Sequence, residues 1–371
     1  MTGRDKWRRF LAGEDVGPMV NPLCDKWCTG DIEYKWDGGG AEPFEPSEDQ
    51  GQFMGQIMMG KTFGWDPLFY ARIPFLPNDK SLIPVVETSA KGDRTQTLTT
   101  LKTPLGDLTR IDEQGVLTSR CIKEYLEDES DYEKMIWYTS QIKDFDKEAA
   151  LDFGRRLRET AGEMGMLGTW VSPSAGSVGI QSLFYHLMDY PDAFERLRDV
   201  KMELKQLQLD VYREAGFDFM FFCVGGMDSI SPGYYQEWLE EEVCETISWW
   251  KSTGGFTLWH GCGHVREYVE LGLFNKAKPE MLETLSEPPV GNLPSLSWAR
   301  ERLDPGIITK GNIPLNILYE GTPEDVRAAV RHIKSETKNH RGIHVIGLSD
   351  NVLTGTPSAN LHAYVDEGYR A

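Results

Sequence analysis

The chain has few cysteines and few basic residues for its length, and these shortages exclude several classes of protein. Six cysteines in 371 residues are too few for a disulfide scaffold, so we expect reduced cysteines and a cytoplasmic protein. Lysine and arginine number 39 against 58 acidic residues, and the net charge of −19 argues against nucleic acid or an anionic membrane as partner. No uninterrupted apolar stretch approaches the roughly 20 residues that cross a bilayer. The basic N-terminus has no apolar segment behind it, so no signal peptide is predicted.

Short apolar runs alternate with helical patterns in the second half of the chain, which indicates a parallel α/β fold. The runs are apolar on both faces, as in parallel strands that helices cover. Strand followed by helix, six times over, predicts right-handed βαβ units. Two earlier apolar segments, 19–24 and 68–73, bring the count to eight and predict a (β/α)8 TIM barrel. The six later strands are predicted at 166–170, 217–224, 256–260, 282–286, 307–309 and 343–347.

The surplus residues predict an N-terminal helical elaboration and an inserted β-hairpin region at about 83–127. In that region, glycine-containing turns separate short threonine-rich runs, which is typical of hairpins. A doubly wound open sheet is the alternative, but no glycine-rich phosphate-binding sequence follows any predicted strand. There is no internal repeat and no low-complexity linker, so residues 1–371 are predicted to form a single domain.

Three positions carry the same helix-start signal, a hydroxyl side chain followed by proline. They are Ser231-Pro232, Thr322-Pro323 and Thr356-Pro357. The hydroxyl satisfies a free N–H at the helix start, and proline fits the first turn because its missing N–H has no partner there. The sequence therefore predicts helices that begin at these three positions.

The C-terminal ends of the strands are the candidate positions for a site, because reacting groups collect there in a parallel barrel. His260 and Cys262 end one strand two residues apart, so they point the same way if the strand continues. Imidazole and thiolate are common zinc ligands, and a catalytic zinc site needs a third protein ligand. Cys223 ends the preceding strand and is a candidate for that third ligand. The alternative for all three residues is packing as buried side chains.

Further strand ends also carry polar or aromatic residues. Glu287, in Leu285-Ser286-Glu287-Pro288-Pro289, is predicted to supply a carboxylate ligand or a proton. Asn312 is predicted to be catalytic, and Ser349-Asp350-Asn351 completes the ring of strand ends. Aromatic residues at strand ends are expected to flank a flat, apolar substrate, and these are Trp170, Trp259 and Phe222.

The segment Trp259-His260-Gly261-Cys262-Gly263 resembles the His-x-Cys-Gly turn of the uroporphyrinogen decarboxylase superfamily, in its cobalamin-dependent methyltransferase branch. The resemblance runs in order from about residue 100 to the C-terminus. It implies a (β/α)8 barrel that moves a methyl group to or from the cobalt of a separate corrinoid protein. In the zinc-dependent members the metal binds a thiol or an ether oxygen. The other matching segments are 103–108, 189–192, 285–292, 311–314, 321–326 and 356–360.

Two departures from the family pattern restrict the function that the resemblance implies. The decarboxylase members carry an arginine-rich N-terminal motif that grips substrate carboxylates, whereas residues 18–25 here contain no arginine, which argues against porphyrinogen decarboxylation. The thiol-methylating members take another zinc cysteine from the last strand, but no cysteine follows Cys262 here. Either Cys223 or Glu287 replaces that ligand, or the protein lacks zinc, as the tetrahydrofolate-using relatives do.

The function predicted from the sequence is corrinoid-dependent methyl transfer. A methoxylated, aromatic compound would give its methyl group to the cobalt of a corrinoid protein, with zinc held by His260, Cys262 and Cys223. The opposite half-reaction, from methylcorrinoid to tetrahydrofolate or a thiol, is the first alternative. A non-catalytic barrel that only binds a ligand is the alternative of another class. The expected partners are a corrinoid protein and a small-molecule methyl donor, and the oligomeric state stays open, with a homodimer as one alternative.

Overall fold

The computed structural model describes residues 1–37, 42–44, 53–115, 119–174, 180–225, 227–338 and 343–370. None of the described helices is long and apolar enough to cross a membrane. The strands, in chain order, are β1 (Leu68–Tyr70), β2 (Val85–Lys91), β3 (Arg94–Leu101), β4 (Leu108–Gln114), β5 (Ser119–Lys123), β6 (Met166–Val171), β7 (Phe219–Cys223), β8 (Phe256–Gly261), β9 (Met281–Thr284), β10 (Ile308–Ile313) and β11 (His344–Leu348). The α-helices are α1 (Gly3–Leu11), α2 (Phe53–Phe63), α3 (Glu129–Gln141), α4 (Lys147–Ala161), α5 (Ile180–Asp189), α6 (Pro191–Glu214), α7 (Pro232–Trp238), α8 (Glu240–Ser252), α9 (Arg266–Glu270), α10 (Leu273–Ala277), α11 (Leu296–Arg302), α12 (Leu315–Glu320), α13 (Pro323–Thr337) and α14 (Ser358–Tyr369).

Among the described residues, seven strands form one parallel sheet in the order β1, β6, β7, β8, β9, β10, β11. Each strand pairs in parallel with the next. Helices connect the successive strands, as right-handed crossover units require. β8 and β10 are buried along their whole length, which agrees with helices covering the outer face. The predicted TIM-barrel-like α/β fold is confirmed.

Residues 19–24, predicted as a strand, occupy the eighth position through single bridges instead of a continuous ladder. Val20 forms a parallel bridge with Ile346 of β11. On its other side, the carbonyl of Val20 accepts the N–H of Asp66 at 2.8 Å. Met19 and Asn21 hydrogen-bond Ile346, so Pro22, which has no N–H to donate, faces the side of β1. The segment therefore joins β11 to the residues that precede β1.

The interior of the parallel sheet is filled by apolar side chains from every strand and from the N-terminal helix. Trp7 and Phe10 of α1 are buried in this core, so the predicted N-terminal helical elaboration is part of the packing. The other members of the core are Met19, Leu23, Leu68, Tyr70, Met166, Phe219, Phe221, Phe256, Leu258, Met281, Ile308 and Val345.

The chain divides into two compact units. The first contains residues 1–72, 155–171 and 216–371 and carries the parallel sheet. The second contains residues 73–154 and 172–215, and its described strands form an antiparallel sheet in the order β2, β3, β4, β5. The predicted hairpin region at about 83–127 is thereby confirmed, with residues 116–118 outside the described part. Whether the two units unfold together, as the predicted single domain would, stays a prediction.

Two of the three predicted helix caps are confirmed. Ser231 accepts a backbone N–H at the start of α7, and Thr322 caps α13 in a reciprocal capping box. The prediction is wrong at Thr356, whose hydroxyl donates to the carbonyl of Leu353. The first N–H of α14 is bound instead by the side chain of Asp31. A distant carboxylate therefore takes the place of the expected local hydroxyl.

Candidate functional site

One register row of the parallel sheet carries reactive or charged groups on four neighbouring strands. Cys223 on β7 pairs with His260 on β8. His260 pairs in turn with Glu283 on β9, and Glu283 with Lys310 on β10. Residues in register on neighbouring parallel strands project from the same face of a sheet. The four side chains therefore form a continuous polar layer on one face.

Glu283 links His260 to Lys310 within this row. Its Oε1 accepts a hydrogen bond from His260 Nδ1 at 2.6 Å, and its Oε2 accepts one from the Lys310 ammonium. Glu283 and Lys310 are each 1% exposed, so the ion pair is fully enclosed. Burial alone would raise the pKa of Glu283, but the charges of Lys310 and His260 lower it to about 2. Glu283 is therefore ionised at neutral pH.

The bond to Glu283 fixes the orientation of the His260 ring. An ionised carboxylate only accepts hydrogen bonds, so Nδ1 carries a proton and Nε2 is left for the open side of the site. Nε2 lies 3.9 Å from Oδ1 of Asp350, and the ring also hydrogen-bonds the Cys262 thiol. Burial lowers the pKa of His260, but the hydrogen bonds to Cys262 and Glu283 outweigh it and leave that pKa well above its ordinary value.

His260, Cys262 and Asp350 form a group whose ligand atoms all lie within 4.8 Å of one another. Asp350 follows β11, and its side chain is 43% exposed, so the group is open to solvent. Imidazole nitrogen, thiolate sulfur and carboxylate oxygen are all ordinary zinc ligands. The carboxylate of Glu283 on Nδ1 is the arrangement that orients metal-binding histidines in proteins. The residues present therefore fit the predicted zinc ion.

Gly263 makes the turn after Cys262 possible. Its φ is +81°, and a Cβ at this position would lie 2.7 Å from Cβ of Asp228. Residues that carry a side chain rarely adopt this backbone conformation. Two carbon atoms also cannot lie as close as the added Cβ and the Cβ of Asp228 would, so glycine is required here. The turn keeps Cys262 beside His260 rather than continuing the strand.

Cys223 lies beside His260 in the register but outside this group. Burial raises the pKa of its thiol to about 11, so it is protonated at neutral pH. Within the described part of the chain, Asp350 and not Cys223 supplies the third donor atom within 4.8 Å. Cys223 as a zinc ligand stays a prediction.

Glu287 and Asn312 contact each other but belong to a different group. Asn312 donates from Nδ2 to the carbonyl of Leu285 at 2.9 Å and also hydrogen-bonds Glu287. The carboxylate of Glu287 clusters with the side chains of His332 and Glu336. Glu287 and Asn312 both line a cavity of about 660 Å³. Their predicted catalytic role stays a prediction.

Aromatic side chains lie next to His260 on the interior face of the sheet. The Phe221 ring is 5.3 Å from the His260 ring, measured between centroids. Trp170 packs against Phe221 at 4.1 Å and against Tyr70 at 5.5 Å. Trp170 is only partly buried, whereas Phe221 and Tyr70 are fully buried.

The predicted substrate contacts of Trp259 and Phe222 are wrong. Both side chains are 0% exposed, and their rings pack against each other at 5.7 Å. Trp259 also packs against Phe274 of α10 at 5.0 Å. Successive residues of a strand project from opposite faces, so the neighbour of His260 faces the helices.

The hydroxyl of Tyr70 is a polar group in the same region that the sequence did not single out. Tyr70 is 0% exposed, and its hydroxyl has no hydrogen-bond partner in the described part of the chain. Burial and then the charge of Glu283 raise its pKa, which shows that the hydroxyl lies near the polar row. A buried hydroxyl without a partner is rare and unfavourable, and the full enclosure of Tyr70 leaves no room for a ligand beside it.

Sequence reasoning also missed Glu283 and Lys310, because neither residue ends a strand. A signal was present, since each is a charged residue inside an otherwise apolar buried run. The runs are Met281-Leu282-Glu283-Thr284 and Ile308-Thr309-Lys310-Gly311, on adjacent strands and of opposite charge. Opposite charges at matching depth on neighbouring buried strands predict an enclosed ion pair.

Comparison with known proteins identifies one family and a similar solved structure. The uroporphyrinogen decarboxylase (URO-D) family model matches residues 131–370. A methyltransferase from Methanosarcina mazei superposes with a TM-score of 0.66 and 16% identity, over 99% of this chain and 98% of its own. A B12-independent methionine synthase from Shewanella sp. W3-18-1 gives a TM-score of 0.46 and 11% identity, over 95% and 96% of the two chains. No curated protein matches the chain.

Proposed function

The chain belongs to the uroporphyrinogen decarboxylase family, and from that premise we propose that it is a methyltransferase of a corrinoid-dependent demethylation system. It takes a methyl group from a methoxylated, aromatic compound and passes it to the cobalt of a separate corrinoid protein. The observation that carries the proposal is the group of His260, Cys262 and Asp350, with Glu283 behind the histidine. The fold shared with the Methanosarcina mazei methyltransferase supports the same reaction class.

Decarboxylation of a porphyrinogen is the family reaction that the chain fits poorly. Such a substrate carries several carboxylates, and binding them requires cationic side chains. Residues 18–25 contain no arginine, and Val20 in this segment uses its backbone to bridge to β11. A neutral ether substrate makes no such demand.

The zinc ion is assigned to His260, Cys262 and Asp350, with Cys223 as the alternative to Asp350. When bound, zinc supplies a Lewis acid that stabilises negative charge on the departing oxygen. Glu283 holds the proton on Nδ1 of His260 and so keeps Nε2 directed at the site. Lys310 keeps Glu283 ionised within a fully buried environment.

The remaining residues of the site bind and orient the methyl donor. Trp170, which packs on the buried ring of Phe221 beside His260, offers an aromatic surface against which a flat ring packs. In the transfer, the electron pair of Co(I) in the partner protein forms the cobalt–carbon bond as the carbon–oxygen bond breaks. The phenolate that leaves then takes a proton from solvent.

The test is direct transfer from a panel of methoxyarenes. The purified protein is assayed for zinc and mixed with a Co(I) corrinoid protein and each donor, and the methyl–cobalt absorbance is followed. We expect one zinc ion per chain and methyl transfer from at least one donor. Cys262→Ala should lose the bound zinc and the transfer activity. Cys121→Ser, which alters an exposed cysteine of the antiparallel sheet, serves as the matched control. The absence of a methyl–cobalt spectrum across the panel would overturn demethylation.

The same variants separate the alternatives. Methyl transfer to tetrahydrofolate predicts no tightly bound metal and an active Cys262→Ala variant. Transfer to a thiol predicts bound zinc and complete loss of activity on that substitution. A barrel that only binds a ligand predicts that His260→Ala and Cys262→Ala lose stability while no transfer assay responds.

A further inference from the structure

A second group of metal-ligating side chains lies apart from His260, Cys262 and Asp350. The ligand atoms of Glu287, His332 and Glu336 are all within 4.8 Å of one another. His332 and Glu336 are four residues apart on α13 and so share one face of that helix. Glu287 reaches them from the segment that follows β9. Two separate elements therefore converge on this point.

Both carboxylates of this group are held in place by donors outside it. Oε2 of Glu336 accepts the backbone N–H groups of Leu296 at 3.0 Å and Ser297 at 3.3 Å. Glu287 is hydrogen-bonded by the side chain of Asn312. Ligating carboxylates in metal sites are typically oriented by such secondary hydrogen bonds.

The charge of the group lacks a counterpart in the described part of the chain. No lysine or arginine there forms an ion pair with Glu287 or Glu336, so His332 is the nearest cationic candidate. A divalent cation would neutralise both carboxylates at once.

The group opens onto the cavity of about 660 Å³, whose wall includes Glu287 and His332. Glu320 and Asp325 add acidic side chains to this wall, and no lysine or arginine is among the described residues that line it. A concave surface of one charge sign concentrates ions of the opposite sign. The cavity therefore gives a cation a path of entry and leaves room for water on it.

We propose that Glu287, His332 and Glu336 bind a divalent first-row metal ion at a second site, independent of the His260 group. One imidazole and two carboxylates, with no sulfur, form a ligand set suited to ions such as Mn²⁺. The cavity side of the ion carries water or an oxygen ligand. This donor set differs from that of the His260 group, where Cys262 favours zinc.

Mn²⁺ binding measured by titration calorimetry on the full-length, metal-stripped protein tests the proposal. We expect one Mn²⁺ per chain in the wild type and at least a tenfold weaker association in His332→Ala and in Glu336→Gln. The amide introduced by Glu336→Gln still offers a carbonyl oxygen to the N–H groups of Leu296 and Ser297, so the fold is kept. Glu324→Gln, which changes an exposed carboxylate on the same helix, should bind as the wild type does.

Co²⁺ substitution distinguishes the two sites. A thiolate-to-cobalt absorption band reports only the Cys262 site, because the second group has no sulfur. Cys262→Ser should lose this band and keep Mn²⁺ binding, whereas His332→Ala should keep the band and lose Mn²⁺ binding. Unchanged Mn²⁺ affinity in folded His332→Ala, or no Mn²⁺ binding in the wild type, would refute the second site without affecting the proposed methyl transfer.

Discussion

Replacing Glu283 by glutamine removes the carboxylate that lies between the buried side chains of His260 and Lys310. Glu283 accepts hydrogen bonds from His260 and Lys310, and both charged partners of the ion pair are 1% exposed. In Glu283→Gln the Lys310 side chain is left in a dry environment without its counter-ion. Breaking a buried ion pair on one side costs about 3–5 kcal/mol. We expect the free energy of unfolding to fall by that amount.

The lowered pKa of Glu283 points to a loss of the same order. It falls from an ordinary 4.5 to about 2 on folding, which corresponds to about 3 kcal/mol. Because the folded value is the lower one, this contribution is complete above about pH 4.5 and is lost as the pH falls towards 2. The difference between wild type and Glu283→Gln should therefore shrink in acid.

Urea unfolding of a double-mutant cycle provides the assay. Lys310→Met leaves Glu283 paired with His260, and Glu283→Gln/Lys310→Met removes both charges, so the double variant should recover a large part of the loss. Glu14→Gln breaks an exposed pair with Arg9 and should cost less than about 1 kcal/mol. Metal affinity adds a second measurement, since loss of the group that orients a metal-binding histidine weakens binding by about 10–100-fold. A Glu283→Gln variant as stable as Glu14→Gln would refute the reasoning.

Three further predictions concern the rim of the site. Gly263→Ala should lower the free energy of unfolding by about 1–3 kcal/mol and reduce the zinc content. Gly13 has a similar φ but no neighbour within 4 Å, so Gly13→Ala should lower the free energy of unfolding by less. Equal losses of stability in the two variants would contradict a steric role for Gly263. Trp170→Ala should raise KM for the methyl donor at unchanged zinc content, and an unchanged KM in steady-state assays would remove Trp170 from the binding site. Asp350→Asn should weaken zinc binding in a chelator competition more than Cys223→Ser, and the reverse order would make Cys223 the third ligand.

The parallel strands could be predicted because most of them are continuous apolar runs. β10 shows the limit of that signal, since it was expected at 307–309 and extends over Ile308–Ile313. Its later part contains Lys310 and Asn312, which are polar and yet buried. Each is satisfied by a partner on the preceding segment, Lys310 by Glu283 and Asn312 by the carbonyl of Leu285. Such pairing depends on the neighbouring strand and is invisible in a local hydrophobicity pattern.

The candidate site likewise contains residues that are close in the sequence and residues that only the tertiary structure brings together. His260 and Cys262 could be predicted because they lie in one short segment that the strand and the Gly263 turn hold together. Asp350 was recognised as a strand-end residue, but its approach to Nε2 of His260 depends on the turn that follows β11. Cys223 is equally well placed by register, and yet it does not belong to the group whose ligand atoms lie within 4.8 Å of one another. Three-dimensional convergence of loops is therefore the part that could not be predicted from the sequence.

The bridge between Val20 and Ile346 has a consequence for how the protein is made. Almost the whole described chain lies between these two residues, so the ring of strands stays open until β11 has left the ribosome. During that interval, β10 and the segment around Val20 present unpaired backbone groups to their surroundings. Unpaired strand edges recruit other chains, and contacts between distant residues form slowly. The nascent chain should therefore depend on chaperones until its last strand emerges, after which the ring closes and the edges disappear.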